Sequence, residues 1–432
     1  MELLNVLILI GSFSMLLLIG VPISFSIGIA TVSTMLMSIN TGPALTTAAQ
    51  RMATGLDSFA LLAIPFFILS GQLMNRGGIA RRLIAFAKVI VGIFPGGLAF
   101  VNIMANMLFG SISGSAVASS AAIGGFMVPM MKKEGYDLNY SAAVNITAAT
   151  TGLIIPPSNV LIVYSLASGG VSIGALFVAG YLPGVLVGLS LMLIAGIIAY
   201  RKNYPTEQGY KFKEAALKFL DALPSLFLIV LVIGGIVAGY FTATEASAVA
   251  VLYTFILAVF IYREVKWREL PQILLDTSST TAIVMLLVGA SMGMSWIMSF
   301  ENIPQNISTA LMAVSESRIV ILLLINLVLL MVGTFMDITP AVLIFTPIFL
   351  PVAVQLGIDP IHFGIIMVLN LSIGLCTPPV GSVLFIGCGI AGTSIAKVIR
   401  PLIPLYMAML LALLLVTFIP EISMVLPRLF GY

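Results

Sequence analysis

Charged residues are scarce in this chain. Asp, Glu, Lys and Arg together make up 8% of the 432 residues, whereas hydrophobic residues make up 60%. Soluble domains carry about a quarter of their residues as charges, so this composition excludes a soluble globular protein. Apolar runs such as 6–20, 182–200, 223–241 and 402–419 approach the roughly 20 residues that span a bilayer as a helix. The sequence therefore predicts an all-α protein that crosses a membrane several times.

Residues that build disulfides, metal centres and nucleophilic sites are also scarce. The two cysteines, Cys376 and Cys388, are too few for a disulfide framework, and we expect both to pack in the interior. The only histidine, His362, lies near one end of an apolar segment, where a surface or interface position is favoured over a proton relay. No Walker A sequence occurs, so ATP hydrolysis by this chain is excluded, and no nucleotide or nucleic-acid site is expected.

A double proline occurs twice inside the apolar sequence, at positions 222 residues apart. The first copy, 152–157, reads GLIIPP, and the second, 374–379, reads GLCTPP. Each proline removes a backbone donor and clashes with the preceding turn. Unpaired backbone costs several kcal/mol in hydrocarbon unless protein or a watery cavity covers it. Two broken helices at matching places in two halves are typical of a transporter binding site.

The same offset of 222 residues aligns further positions in the two halves. The aligned pairs are Pro129 with Pro351, Gly135 with Gly357, Asp137 with Asp359, Gly170 with Gly392, and Ser172 with Ser394. Each half therefore predicts a helical hairpin, a Gly-x-Asp turn, a broken helix and a long helix. Chance similarity between apolar segments is the alternative, but it does not explain the single register.

The basic residues indicate how the chain crosses the membrane. We place re-entrant hairpins at about 96–131 and 319–356 and broken helices at about 140–167 and 363–390. With both termini outside, 16 of the 19 Lys and Arg residues lie on the cytoplasmic side, as the positive-inside rule requires. The first hairpin then opens at the inner face and the second at the outer face. The two halves are thus predicted to form an inverted-topology repeat.

This path divides the chain into five parts. They are N-terminal scaffold helices at 1–56, a first repeat at 57–200, a central cytoplasmic loop with scaffold helices at 201–276, a second repeat at 277–420, and an outer C-terminal segment at 421–432. Within the central part, Lys211 to Lys218 is predicted to form an interfacial amphipathic helix. Thr242 and Glu245 match a helix capping box.

The two hairpin tips are polar for segments that lie in a membrane. The first tip, 110–115, reads GSISGS, and the second, 333–340, reads GTFMDITP. Small residues could serve only helix packing. They also allow close backbone approach, and the hydroxyls supply the oxygen ligands that hard cations such as sodium prefer. A half-helix that ends at a break offers carbonyl groups to a cation, and one that begins there directs N–H groups at an anion.

We therefore predict two sodium sites and a substrate site between the tips and the breaks. The first sodium site is assigned to Gly110, Ser113, Gly152, Ile155 and Ser158. The second sodium site is assigned to Gly333, Thr334, Asp337, Thr377 and Val380. The substrate site is assigned to Ser111, Ser115, Asn159, Thr339, Gly381 and Ser382. Asp337 is the only carboxylate placed near mid-membrane, where cation ligation or its support is favoured over a helix cap or a proton carrier.

Five short motifs follow one another along the chain: GVPI at 20–23, IPFF at 64–67, GSISGSA at 110–116, PPSN at 156–159 and CTPPVG at 376–381. This ordered set resembles the large membrane subunit of the tripartite ATP-independent periplasmic (TRAP) transporters. The resemblance implies a lipid-embedded importer of the bacterial inner membrane, driven by a sodium gradient, with an elevator mechanism. The outer termini of the charge-based path would then be periplasmic. The resemblance implies organic acids such as C4-dicarboxylates or sialic acid as substrates. It also implies a periplasmic substrate-binding protein and a small four-helix membrane subunit, which we expect to be either a separate chain or absent.

Three alternatives remain at this point. One is a related ion-coupled carboxylate symporter that needs no binding protein. Another is an intramembrane enzyme such as an aspartyl protease, which would need two facing carboxylates where only Asp337 qualifies. A passive channel is the third, although tips that meet at mid-membrane would occlude a path rather than line it.

Overall fold

The computed structural model describes residues 2–205, 211–315 and 317–432. Within these ranges the chain is helical throughout, and eight helical segments are long and apolar enough to cross a membrane. This confirms the predicted all-α class and agrees with a polytopic membrane protein. The central part predicted at 201–276 includes residues 206–210, which lie outside the described ranges.

The first half of the chain forms ten α-helices. They are α1 Glu2–Leu18, α2 Ile23–Ser38, α3 Thr41–Leu56, α4 Ala63–Arg76, α5 Ile79–Val91, α6 Gly97–Ser113, α7 Ala116–Lys133, α8 Leu138–Ala149, α9 Asn159–Ala167 and α10 Ile173–Arg201. Short 3₁₀ segments, Phe59–Leu62 and Thr150–Leu153, precede α4 and follow α8.

The second half forms ten more. They are α11 Phe212–Val237, α12 Ala243–Phe255 with a π-helical extension Ile256–Ile261, α13 Leu270–Phe300, α14 Ile303–Val314, α15 Arg318–Phe335, α16 Ile338–Gln355, α17 Pro360–Gly374, α18 Ser382–Ala391, α19 Ile395–Phe418 and α20 Glu421–Leu429. The sequence-based path left α3, α5, α14 and α20 unassigned. The stretch from Lys211 to Lys218 was predicted as an interfacial amphipathic helix. It is helical from Phe212, but it forms the first part of α11 rather than a helix of its own, since 212–222 contains no Gly or Pro.

The broken helices form the centre of the core. Every residue from Tyr140 to Ala149 in α8 and from His362 to Gly374 in α17 is buried. A helix that is apolar on all sides must be covered on all sides. The hairpin α6–α7 and helices α10, α18 and α19 cover α8, while α10, α15, α16 and α19 cover α17. Helices α1 to α4 pack with α12 and α13 as a second group beside this core.

The two halves repeat the same sequence of elements, as the 222-residue offset predicted. Gly135 and Gly357 both have left-handed backbone, with φ of +83° and +72°. Asp137 then caps α8 by accepting a hydrogen bond from the Tyr140 amide, and Asp359 caps α17 through the Ile361 amide. Equivalent side chains thus start both broken helices, which argues against chance similarity.

Three residues, the two cysteines and the histidine, test the predictions for the interior. Both cysteines are buried and free, as expected. A surface position, one of the two predicted for His362, is wrong, because only 1% of this residue is exposed. Its Nδ1 lies 2.6 Å from Ser423 Oγ, so the C-terminal helix α20 covers this end of α17.

The predicted capping box at the start of α12 is present. The Glu245 amide donates to Thr242 Oγ1, and the Thr242 amide donates to Glu245 Oε2 at 2.8 Å. Replacing Thr242 by Ala should cost about 1 kcal/mol of helix stability. We expect hydrogen–deuterium exchange to be about fivefold faster at the first amides of α12. Thr242→Ser keeps the hydroxyl and serves as the control; equal exchange in both variants would contradict the assignment.

Candidate functional site

The first hairpin tip packs against the first helix break. Helix α6 ends at Ser113, and Gly114 turns the chain with a φ of +60°, a conformation that glycine adopts without steric cost. Helix α8 and its 3₁₀ extension end at Leu153, before the two prolines, and α9 begins at Asn159. A Cβ atom on Gly114 would lie 3.1 Å from the Pro157 carbonyl oxygen. The tip therefore rests directly on the non-helical backbone of the break.

Two glycines allow this contact. Gly110 in α6 and Gly152 before the prolines pack backbone to backbone, so that a Cβ on either would overlap the Cα of the other. The second half repeats the arrangement: a Cβ on Gly374 would lie 2.5 Å from the Cα of Gly333. In each half, the tip is thus held against the break of the same half by a contact that only glycine permits.

A cavity of about 230 Å³ lies where the two tips face each other. One wall comes from the tips and the broken helices, and the other from α4 and α13. The polar residues that line it are Gln72, Asn75, Ser113, Ser115, Asn159, Thr280, Asp337 and Thr339. The remaining lining is glycine and apolar side chains, including Ile64, Ile68, Leu153, Val160, Val284 and Leu375.

Two buried polar atoms in this lining have no hydrogen-bond partner among the described residues. They are Ser113 Oγ and Asn159 Oδ1. A buried polar atom without a partner costs about 1–3 kcal/mol, and native proteins seldom leave one unsatisfied without a bound water, ion or ligand. Both atoms belong to the first tip and the first break. This side of the cavity is therefore suited to hold a polar ligand or a cation.

Asp337, in the second tip, adds a carboxylate to the lining of the cavity. It occupies the N-cap position of α16, but its side chain accepts no capping hydrogen bond from the described residues. The side chain is exposed to the cavity. No Lys or Arg occurs among the described residues that line the cavity, so the carboxylate is not neutralised by a basic side chain. A bound cation would supply that charge.

The residues predicted for the two sodium sites take different positions. Ser113 and Asp337 line the cavity, and Gly110, Gly152 and Gly333 form the glycine contacts behind the tips. Three hydroxyls donate to nearby carbonyls: Ser158 to Leu153 at 2.6 Å, Thr334 to Met331 at 2.6 Å, and Thr377 to Ile373 at 3.0 Å. Ile155 packs against Gly184 of α10, and Val380 is 46% exposed.

The residues predicted for the substrate site also separate into two groups. Ser115, Asn159 and Thr339 line the cavity. The other three lie outside its lining. Ser111 Oγ donates to the Leu108 carbonyl at 2.8 Å, and Gly381 packs within the second break, close to the Leu375 carbonyl. Ser382 Oγ is buried without a partner among the described residues.

Sequence reasoning missed the wall that faces the tips. Gln72 and Asn75 on α4 and Thr280 on α13 line the cavity. A Cβ on Gly71 would lie 3.4 Å from the Ser113 carbonyl oxygen, so α4 contacts the first tip directly. The available signal was a pair of amide side chains in the last turns of an otherwise apolar helix. Nothing local in the sequence shows which face of α4 meets the tips.

Comparison with known proteins places these features in a family. The family described as "Tripartite ATP-independent periplasmic transporter, DctM component" matches residues 10–422. Relatives include the "Uncharacterized protein YgiK" of Salmonella typhimurium, which is 55% identical over 99% of this chain and 98% of its own. The "C4-dicarboxylate TRAP transporter large permease protein DctM" of Pseudomonas aeruginosa is 42% identical over 87% of this chain and 88% of its own.

A third relative and one solved structure complete the comparison. The "Sialic acid TRAP transporter large permease protein SiaM" of Vibrio cholerae is 38% identical over 96% of this chain and 97% of its own. The crystal structure of the Alcanivorax borkumensis YdaH transporter is 15% identical, with a TM-score of 0.64 and coverage of 89% of both chains. At 15% identity, the similarity to the YdaH transporter concerns the fold alone.

Proposed function

The chain belongs to the family of the DctM component of tripartite ATP-independent periplasmic transporters, and from this premise we propose that it is the subunit through which an organic acid is imported with sodium. Membership makes it a large permease subunit, and therefore a transport protein rather than an enzyme. The observation that carries the finer proposal is the cavity between the two tips. It combines an unneutralised carboxylate with buried polar atoms that have no partner among the described residues.

The proposed cargo is an organic acid anion. The names of the relatives specify C4-dicarboxylate, sialic acid and isethionate, all of which are anions at neutral pH. The described lining of the cavity holds no basic side chain. An anion in it would be stabilised by hydroxyls, by the amide of Asn159 at the start of α9, and by bound cations.

The proposed coupling ion is sodium, at the two sites between tips and breaks. Oxygen-rich surroundings at Ser113 and Asp337 suit a hard cation. Import of one net positive charge gains about 2.3 kcal/mol per 100 mV, and about 1.4 kcal/mol corresponds to a tenfold ratio. That charge alone would support roughly 50-fold accumulation. Two sodium ions with a monocarboxylate would carry such a charge.

The proposed membrane arrangement follows the sequence-based topology. Both hairpins are re-entrant, both termini are periplasmic, and the two halves are inverted within the inner membrane. Tips that meet in one cavity support re-entrant hairpins, because fully crossing helices would place their connections at opposite faces. We further propose an elevator mechanism, in which hairpins and broken helices move together against α1 to α4 and α11 to α13. A small four-helix subunit and a periplasmic binding protein would complete the system.

Uptake into proteoliposomes tests this proposal. The chain would be purified with its small membrane subunit and supplied with its binding protein and a panel of labelled organic acids. Replacing external sodium by potassium should reduce uptake at least tenfold, because the membrane potential and the acid gradient alone provide no coupling ion. Uptake that persists in potassium and follows a proton gradient would contradict sodium coupling. Uptake that needs no binding protein would favour the self-sufficient symporter instead.

A further inference from the structure

The wall formed by α4 and α13 continues beyond the cavity to an ion pair. On α4, the lining residues Ile64, Ile68 and Gln72 are spaced four apart, and the next position in that series is Arg76. Residues four apart lie on the same face of a helix, about 6 Å from one another along its axis. These four residues form a stripe along one face of α4. The Arg76 side chain lies one turn beyond Gln72, the last residue of the stripe that lines the cavity.

Helix α13 carries the matching stripe. Val284 and Thr280 line the cavity, and the next position towards the start of the helix is Asp276. Arg76 Nη2 lies 2.6 Å from Asp276 Oδ2. The two stripes that form one wall of the cavity thus end together, in a single pair of opposite charges.

The cavity opens at this end. Along α4 the residues change from buried Ile64, through half-buried Ile68 and Gln72, to exposed Asn75. The side chains of Arg76 and Asp276 are 37% and 34% exposed. The pair therefore stands at a mouth of the cavity rather than inside the packed core.

The Arg76 guanidinium can leave Asp276 and bind another carboxylate at little cost. Half-exposed ion pairs contribute little stability, so separating the two charges is easy. Asp276 Oδ1 also accepts a hydrogen bond from Gln272 Nε2 at 2.7 Å and keeps that partner when the guanidinium leaves. The guanidinium presents five donors in a planar fork that matches a carboxylate.

We propose that the Arg76–Asp276 pair is a charge-selective gate at this mouth of the cavity. A carboxylate that leaves the cavity takes the guanidinium from Asp276, and Asp276 recovers it once the anion has gone. Arg76 is then the first basic group on the path of an anion, since none occurs in the described lining. The inference builds on the proposed transport of an organic anion and adds the residues that admit its charge. A simple brace between α4 and α13 is the competing explanation.

Thiol labelling tests, without knowledge of the cargo, whether the pair determines which charge reaches this mouth of the cavity. Gln72→Cys would place a thiol one turn from Arg76, and two impermeant methanethiosulfonates of opposite charge, the ethylsulfonate and the ethyltrimethylammonium, would be applied to inside-out vesicles. The protein without the new cysteine measures background from Cys376 and Cys388, which are both buried. The measured quantity is the ratio of the anionic to the cationic labelling rate, at low ionic strength so that charges are not screened.

Arg76→Gln should lower this ratio about fivefold, as expected for one charge at roughly 8 Å even in the dielectric of water. Asp276→Asn should raise it by a similar factor, and Arg76→Lys should leave it unchanged. Arg81→Gln is the matched control, because Arg81 also forms an ion pair, with Glu264, but lies on α5 rather than on the face of α4 that carries Gln72. A lower labelling ratio in Arg76→Gln and a higher one in Asp276→Asn support the gate. If Arg76→Gln fails to fold, the ratio in Asp276→Asn decides the question alone.

A ratio that changes in neither variant would reduce the pair to a brace. A thiol at position 72 that reacts only from the periplasmic side would also overturn the gate, because the mouth would then face the other way. The measurement requires no sodium gradient, binding protein or substrate. Failure of sodium-coupled uptake would therefore leave the labelling result intact, and the two proposals can fail separately.

Discussion

Asp337→Asn should raise the sodium concentration for half-maximal uptake at least tenfold. The carboxylate faces the cavity without a basic partner among the described residues. Two unit charges 4 Å apart attract by about 4 kcal/mol at an effective dielectric constant of 20. The cost of removing both from water cancels part of this attraction, and a net loss of about 1.4 kcal/mol is a factor of ten. An amide of almost the same shape would keep the packing and lose the charge.

The control for this substitution makes the same chemical change elsewhere. Asp57 lies at the end of α3, is exposed and does not line the cavity, so Asp57→Asn should leave sodium dependence unaltered. Half-maximal sodium that stays constant in Asp337→Asn would remove this residue from the cation site. The pH dependence of uptake tests whether Asp337 is instead a proton carrier. If it is, uptake by Asp337→Asn should lose its pH dependence; if Asp337 is a sodium ligand, the pH dependence should remain.

The sequence could predict the parts of this site that local chemistry determines. Two prolines in succession do not fit the interior of a regular helix, and the structure breaks α8 and α17 within a few residues of both pairs. Gly135 and Asp137, with their counterparts Gly357 and Asp359, likewise specify a turn and a cap from their own side chains. The hairpins and broken helices could therefore be placed to within a few residues.

Other parts depend on contacts between distant segments, and the sequence could not predict them. A hydroxyl at a tip is equally able to face the cavity, as Ser113 does, or to bond its own helix, as Ser111 does. His362 is covered by a helix about 60 residues later in the chain. The wall of Gln72, Asn75 and Thr280 exists only because α4 and α13 pack beside the tips. The sidedness of the membrane and the residues of each sodium site remain predictions.

The glycine contacts behind the tips should be among the least tolerant positions of the described residues. Gly152→Ala would place a methyl group on the backbone of Gly110, and Gly374→Ala would do the same to Gly333. Backbone atoms cannot rotate away as a side chain can, so the tip must shift. Forcing extra volume into such a contact costs about 1–3 kcal/mol, equivalent to a roughly 5- to 150-fold loss of the docked tip and of uptake.

Gly125→Ala and Gly389→Ala are the matched controls, because both glycines lie in helices with open space around the added methyl. They should leave uptake and thermal stability unchanged or slightly improved. If Gly152→Ala behaves like Gly125→Ala, the tip does not need to dock on the break. Sodium provides a further check, because an ion that binds only between a docked tip and its break stabilises that state by mass action. Raising sodium should then restore part of the uptake lost in Gly152→Ala, whereas a defect that does not respond to sodium would place the ion elsewhere.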